Sequence, residues 1–426
     1  MIQRNRPVDL SIDCAGIKSP NPFWLASGPP TNTAYQVMNA FDAGWGGAVW
    51  KTLGEPITNT ASRYGGIHYL GRNVAGFNNI ELITDRPLDV NLREIAEVKK
   101  KYPNNAVVVS LMVETREQWR DIIRKSEDTG CDGLELNFGC PHGMCERGMG
   151  SAVGQEPRVL EEITSWVAEY ASVPVLVKLT PNITDILYPA MAAQRGGADG
   201  VSLVNTFKSV IGIDHDTFSP IPSVDGQGTS GGYCGPAVKP IALHMVTRLG
   251  KAAEFALPIS GIGGVQSWED GLDFILLGAT SVQVCTAAMH FGFRIVEDLT
   301  RGLEEWMREK GYARIEEFRG AALPHYVEWG ELNLNYKIIA EIDPAKCIEC
   351  QLCFAACEDG AHQCIEIPQG TRKPRILEDE CVGCNLCQLV CPVEGCITMV
   401  EVDQGLARES WNERVMKGTA GAGGKH

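Results

Sequence analysis

Long hydrophobic runs are missing from this chain. No apolar stretch approaches the roughly 18–20 residues that span a bilayer, and no apolar signal-peptide segment follows the N-terminal Met1-Ile-Gln-Arg-Asn-Arg-Pro7. These absences argue against a helical membrane protein and a secreted one, and predict a cytoplasmic location. Positive charge is also scarce: 38 lysines and arginines face 53 aspartates and glutamates, a formal net charge of −15. A field of that sign repels phosphate backbones, which excludes nucleic acid as an expected partner. The glycines do not fall in the GxGxxG spacing of a dinucleotide site. At 426 residues the chain is too long for one average domain, and two or three are expected. Cysteine, by contrast, is plentiful. There are 16, of which ten follow residue 340. Clustered cysteines in a reducing compartment are metal ligands or catalytic thiols more often than disulfides.

Cys347-x2-Cys350-x2-Cys353-x3-Cys357 is followed by Cys381-x2-Cys384-x2-Cys387-x3-Cys391-Pro392. Both runs have the spacing of a bacterial ferredoxin repeat. Three cysteines so spaced wrap three irons of a [4Fe–4S] cubane, and the fourth points away to ligate the other cluster. Cluster I is therefore expected on Cys347, Cys350, Cys353 and Cys391. Cluster II is expected on Cys381, Cys384, Cys387 and Cys357. A zinc ribbon, the alternative, needs four ligands per metal and no interlocked repeat. Cys364 and Cys396 fall outside the pattern and read as small buried hydrophobes. Paired clusters conduct single electrons, so another centre must supply or receive them.

The first three hundred residues alternate short apolar runs with helix-length amphipathic segments. The runs are Pro22–Ser27, Gly47–Lys51, Ala106–Val113, Gly133–Phe138, Val173–Leu179, Gly200–Asn205, Leu257–Ile262 and Ser281–Cys285. Strands this apolar suit a parallel sheet buried on both faces, and eight such units in this length predict a (β/α)8 TIM barrel. Val8–Ile17, with Ala15-Gly16 near its turn, reads as a hairpin ahead of the first strand. A barrel places its functional residues at the C-terminal ends of its strands. Those ends carry Ser27-Gly28, Lys51-Thr52, Asn137, Lys178, Asn205-Thr206, Gly261 to Gly264, and Cys285-Thr286. Lysines and asparagines there are costly to bury without partners, so their recurrence marks a polar site. Gly261-Ile-Gly-Gly264 fits the phosphate loop such barrels place after the seventh strand. A mononucleotide is implied, and FMN is the natural bridge between one-electron clusters and hydride chemistry. Lys178 is a candidate to stabilise the reduced flavin at its N1/O2 edge.

After the fourth strand comes the glycine-rich loop Phe138-Gly-Cys140-Pro-His142-Gly-Met-Cys145-Glu-Arg-Gly-Met-Gly150, which can fold over a site and move. Reducing an activated C=C bond needs a hydride on one carbon and a proton on its neighbour. A thiol with a pKa near 8.5 is a suitable acid, and Cys140 is the candidate. His142 reads as structural. Asn79, Asn137, Asn205 and Thr206 offer paired donors and acceptors. That set suits a neutral ring with alternating C=O and N–H groups, whereas a carboxylate substrate would favour a dedicated Arg or Lys.

Asn21-Pro-Phe…Ala26-Ser-Gly28, Lys51-Thr52, Asn137-Phe-Gly-Cys140-Pro-His-Gly-Met144, Lys178-Leu-Thr-Pro-Asn182 and the two cysteine runs together resemble the dihydropyrimidine dehydrogenases. The resemblance covers about residues 5–400. It is nearest to the pyrimidine-reducing subunit of the bacterial NAD-dependent enzymes. It implies a dihydroorotate dehydrogenase-like barrel holding FMN, with hydride passing from flavin N5 to C6 of uracil or thymine while Cys140 protonates C5. It implies pyrimidine contacts from Asn79, Asn137, Phe138, Gly139, Asn205 and Thr206. It implies FMN contacts from Ser27, Gly28, Lys51, Thr52, Asn137, Lys178, Gly235, Ile262, Gly263, Gly264, Cys285 and Thr286. Two departures stand out: Gly139 replaces a serine of the long enzymes, and Cys234 replaces a usual serine beside Gly235. The chain has no FAD or NAD site, so the resemblance also implies a separate NADH-oxidising FAD/iron–sulfur flavoprotein, and a homodimer of this chain within a heterotetramer. The competing readings are a dihydroorotate dehydrogenase and a non-catalytic electron-transfer subunit. The expected domains are a barrel over 1–312, a linker over 313–338, a ferredoxin domain over 339–402 and a flexible tail over 403–426.

Overall fold

The eight apolar runs each become a parallel strand: β1 (Phe23–Leu25), β2 (Gly47–Leu53), β3 (Ala106–Leu111), β4 (Gly133–Asn137), β5 (Val175–Lys178), β6 (Gly200–Leu203), β7 (Ile259–Ile262) and β8 (Ala279–Val284). Neighbours in the chain are neighbours in the sheet, and β8 pairs back onto β1 to close the barrel. Every residue of β2, β3 and β8 is buried, as expected when helices cover the outer face and packed side chains fill the inner one. The intervening helices start on identifiable signals. Thr115 caps Arg116–Glu127 with a capping box, and Pro157 opens Pro157–Tyr170. The computed structural model describes residues 7–69, 72–360 and 362–418.

The N-terminal hairpin pairs Ile12–Cys14 with Ile17–Ser19, a little later in the chain than its alternation predicts. Ala15 and Gly16 both turn with positive φ (58° and 89°), as a two-residue hairpin connection of matching twist requires. Ile17 comes so close to Gly133 at the start of β4 that an added Cβ there would lie 2.6 Å from it. The hairpin therefore closes the N-terminal mouth and leaves the opposite end for chemistry. That end carries a four-stranded antiparallel sheet absent from the sequence reading. It is formed by Tyr64–Tyr69 and Arg72–Asn79 after β2 together with Phe207–Ser209 and Gly231–Cys234 after β6.

The chain divides into two units at Pro324/His325, not through a linker over 313–338. Residues 313–324 belong to the barrel unit. Ile315 and Phe318 are fully buried, Phe318 packs on Trp306 and Tyr312, and the Gly320 and Ala322 amides donate to Ile275 and Leu276 carbonyls. The second unit uses residues 325–337 as well. Trp329 lies beside Trp411, and the Leu334 amide donates to the Glu409 carbonyl. Residues 403–418, expected as flexible tail, thus include a helix, Trp411–Met416, capped by Ser410. Residues 419–426 lie outside the described residues, as do 1–6.

In the second unit Ile338–Ile342 pairs antiparallel with Ile397–Glu401, and Ile365–Glu366 with Arg375–Ile376. Helices Leu352–Glu358 and Leu386–Val390 follow the two cysteine runs. Among the described residues its buried apolar cluster is Ala340, Ile365, Ile397 and five cysteines, 353, 364, 381, 387 and 396. A core with so little hydrocarbon is too small to hold such a unit by burial alone; sulfur-bound clusters complete it. No described helix is long and apolar enough to cross a membrane.

Candidate active site and cluster cavities

A cleft opens at the C-terminal ends of the barrel strands. Ser27 and Gly28 line it after β1, Lys51 and Thr52 from the end of β2, Asn137 from β4 and Lys178 from β5. Asn205 and Thr206 follow β6, Ile262 ends β7 with Gly263 and Gly264 after it, and Cys285 and Thr286 follow β8. Asn79, Gly235 and Cys140 complete the set. Phe138 and Gly139 are not on the cleft wall. The Phe138 ring is buried and meets Trp119 edge-on, 6.2 Å between centroids. A Cβ on Gly139 would lie 2.4 Å from Cβ of Asn205, so glycine is what lets Asn205 approach.

Thr52 ties the polar floor together. Its hydroxyl meets Ser27 Oγ at 3.1 Å and Ser110 Oγ at 2.9 Å, and accepts from Asn137 Nδ2 at 3.0 Å. Asn137 Oδ1 accepts from Asn205 Nδ2 at 3.0 Å, and Asn205 Oδ1 from the Thr206 amide at 2.8 Å. These bonds fix the two amides in one orientation. Asn79 donates to the Gly232 carbonyl at 3.0 Å.

Both cleft lysines have a carboxylate partner that the sequence reading did not name. Lys51 is paired with Glu81, whose carboxylate also accepts from Tyr64 and lies 3.4 Å from Arg63. Lys178 lies 3.5 Å from Glu135, which is fully buried. Gln283 donates to Glu135 at 3.2 Å and to Ser260 at 2.9 Å beneath the cleft. A signal existed for Glu135: a charge inside an apolar strand, two residues before Asn137, shares that residue's face. Lys51 at a buried strand end called for a counterion, but nothing in the pattern pointed to Glu81.

Cys140 is buried, and its thiol donates weakly to the His142 carbonyl at 3.5 Å. Burial pushes it up to about 11, so it stays protonated at neutral pH. The loop around it lies against the barrel: Met144 and Met149 bury with Ile83 and Met112, and the Ser151 amide donates to the Cys140 carbonyl at 2.9 Å. His142 Nε2 lies 3.1 Å from the Glu81 carbonyl, and burial lowers its pKa, leaving the ring neutral. Cys145 donates to the Pro141 carbonyl at 3.3 Å and does not line the cleft. Cys234, at the serine-to-cysteine departure, accepts from Thr286 Oγ1 at 3.3 Å, so that position keeps a polar contact.

The glycines make the cleft's phosphate end. Gly235, Gly263 and Gly264 have φ of 96°, 138° and 76°, a region costly for other residues. A Cβ on Gly264 would lie 2.9 Å from the Gly235 carbonyl, and one on Gly28 would lie 2.7 Å from Cys285 Sγ. Bare backbone from three loops thus converges where a phosphate can be cradled, and Lys51 and Lys178 line the same cleft. The arrangement fits FMN.

Two further cavities lie in the second unit. One is lined by Cys357, Cys381, Cys384 and Cys387 with Cys364. The other is lined by Cys347, Cys350, Cys353 and Cys391 with Cys396. Each takes three cysteines from one run and the fourth from the other. The two runs fold alike: Gln351 and Asn385 both have positive φ, as do Glu349 and Gly383 two residues earlier. Four cysteines around each cavity, one of them exchanged between the runs, suit a pair of cubanes.

The dihydroorotate dehydrogenase family model matches residues 9–307, and the 4Fe-4S dicluster domain model matches residues 340–399. The NAD-dependent dihydropyrimidine dehydrogenase subunit PreA of Escherichia coli (strain K12) is 41% identical over 396 residues, 92% of this chain and 96% of that one. The chain belongs to the dihydropyrimidine dehydrogenase family. The chloroplastic dihydropyrimidine dehydrogenase (NADP(+)) of Arabidopsis thaliana is 44% identical over 348 residues, 78% of this chain and 81% of the relative. The catalytic subunit of dihydroorotate dehydrogenase B (NAD(+)) from Pyrococcus horikoshii is 36% identical over 321 residues, 74% of this chain and 98% of the relative. Dihydropyrimidine dehydrogenase family membership makes the chain an oxidoreductase, with a flavin-type barrel and a 4Fe-4S dicluster domain on one polypeptide.

Proposed function

We propose that this chain reduces the C5=C6 bond of uracil or thymine, reversibly, as the pyrimidine-reducing subunit of an NAD-dependent dihydropyrimidine dehydrogenase. The observation that carries the substrate class is the pairing of the cleft's cations. Lys51 and Lys178 each face a buried carboxylate, Glu81 and Glu135, so neither is free to take a substrate carboxylate. Asn79, Asn137, Asn205 and Thr206 remain to bind a neutral ring through donors and acceptors. This favours a pyrimidine dione over orotate, even though a dihydroorotate dehydrogenase subunit is among the relatives.

FMN, when bound, supplies hydride chemistry at C6. Its phosphate is assigned to Gly235, Gly263, Gly264 and the Cys285-Thr286 backbone, and its ring to the floor formed by Ser27, Thr52, Asn137 and Lys178. Lys178 would turn to the flavin's N1/O2 edge an N–H that its ion pair with Glu135 leaves over. Cys140 holds a proton for C5, and its burial keeps that proton in place until the ring is seated. The clasp between Asn137 and Asn205 orients the amides that grip the ring, so part of the orientational cost is met before binding.

The clusters are assigned their crossed ligands: Cys347, Cys350, Cys353 and Cys391 for cluster I, and Cys381, Cys384, Cys387 and Cys357 for cluster II. They would carry single electrons from an NADH-oxidising FAD/iron–sulfur flavoprotein subunit. The Escherichia coli relative is itself named as a subunit, which supports such a partner. We assign the assembly as a homodimer of this chain within a heterotetramer, in the cytoplasm. The test is NADH-dependent uracil and thymine reduction with the candidate flavoprotein added or omitted. Reduction only with the flavoprotein is expected. Turnover of orotate with none of uracil or thymine overturns the assignment.

A further inference from the structure

The cysteine runs account for eight of the ten cysteine sulfurs in the second unit. The remaining two, Cys364 and Cys396, occupy matching places. Each stands one residue before a strand, Ile365–Glu366 or Ile397–Glu401, that follows the last cysteine of its run. Each is buried, 5% and 3% exposed, and each lines a different cluster cavity beside that cavity's four cysteines. Cys364 Sγ lies 3.5 Å from Cys357 Sγ and also faces Cys381. Cys396 Sγ faces Cys391 and Cys347 in the same way, but it has a backbone acceptor as well, the Asp343 carbonyl at 3.8 Å.

If Cys357 ligates iron it has given up its proton, and only Cys364 has one to donate to that contact. A hydrogen bond to a cluster's ligand sulfur stabilises the more negative, reduced form, and such bonds are among the determinants of cluster potential. We infer that Cys364 is a positioning residue for electron flow. Its thiol donates an S–H···S bond to Cys357 and raises the reduction potential of cluster II. Cys396, its counterpart, divides its proton between a backbone carbonyl and the ligand sulfurs beside it, and raises cluster I less. Two clusters on pseudo-symmetric ligand sets are thereby made unequal, which gives the electron path a preferred resting place. The inference rests on the crossed ligation proposed above.

The test is an EPR-monitored redox titration of the full-length, FMN-loaded chain, with iron and acid-labile sulfide counted. Cys364→Ala is expected to keep both clusters and FMN. It should lower the midpoint of one cluster so that its reduced-to-oxidised ratio at fixed potential falls about tenfold, about 59 mV for a one-electron couple. Cys364→Ser, which keeps a donor, should recover part of that shift. Cys396→Ala should move the other midpoint by less. An unchanged midpoint in Cys364→Ala overturns the inference. So does loss of about four irons from both Cys364 variants, which would make Cys364 a ligand. Cys384→Ala separates the two readings. The crossed ligation requires it to lose a cluster, and its failure to do so would reject the ligand assignment itself.

Discussion

Cys140 holds its proton because it is buried, and its hydrogen bond runs to a backbone carbonyl at 3.5 Å. A carbonyl accepts the bond without taking the proton, which is the requirement of an acid and the opposite of a nucleophile's. Cys140→Ala should therefore keep FMN and both clusters yet lose at least about a hundredfold in turnover, the scale of general-acid catalysis. Steady-state assay beside flavin and iron counts would check this, and near-normal turnover would remove Cys140 from its role. Cys140, Cys234 and Cys285 are all raised by burial from 9.0, to about 11, 11 and 12. A raised folded pKa means the native state keeps protons the unfolded chain would release. The associated stability is complete below about pH 9 and is lost as pH rises through 11 to 12. Thermal melts should show that alkaline loss, and Cys234→Ala should flatten it. At Gly139, serine would press on Asn205, so Gly139→Ser is expected to raise KM for uracil while leaving FMN bound. A rise in uracil binding instead would show that Asn205 yields easily.

At the scale of elements, the barrel was legible and the sheet over its mouth was not. Eight apolar runs read directly as strands because burial on both faces leaves an uninterrupted hydrophobic signature. Three of the covering sheet's four strands contain glycine and so lack a continuous apolar signature. The sheet joins partners as distant as Asn79 and Gly232, 153 residues apart in sequence, and no local pattern encodes such a pairing. That sheet delivers Tyr64, Phe77 and Tyr233 to the cleft. Glu81, just after its Arg72–Asn79 strand, brings the carboxylate that neutralises Lys51, and so it escaped sequence reading with its element. Glu81→Gln would leave a buried ammonium unpaired and should cost about 3 kcal/mol by denaturant melting. The glycine turns after β7 behave differently: their spacing alone located them. Gly264→Ala combines a φ of 76° with a 2.9 Å approach to the Gly235 carbonyl, and should weaken FMN retention at least about tenfold, on the cost of a strained φ plus a steric clash. Flavin released on denaturation, per chain, measures it, while the iron count should not change.

For the molecule as a whole, the two units have separate duties and should fail separately. Cys350→Ala is expected to abolish NADH-dependent uracil reduction in the presence of the flavoprotein. Direct bleaching of the bound flavin by dihydrouracil in a stopped-flow experiment should persist. Loss of both would mean that the clusters support the barrel itself. The short helical turns of residues 313–324 carry no periodicity, so the sequence alone does not mark the division at Pro324/His325. Their two buried anchors, Ile315 and Phe318, attach them to the barrel. The cysteine spacing was fully legible, since it is a geometric template for a cubane and owes nothing to burial. The exchange of one cysteine between the two cavities also orders events during synthesis. Cys347, Cys350 and Cys353 leave the ribosome long before Cys391, which closes the same cavity. The nascent unit must wait with three thiols exposed, open to oxidation or to a stray metal, until the second run is made. Cluster loading then becomes a step that follows translation and depends on whatever guards those thiols in the interval.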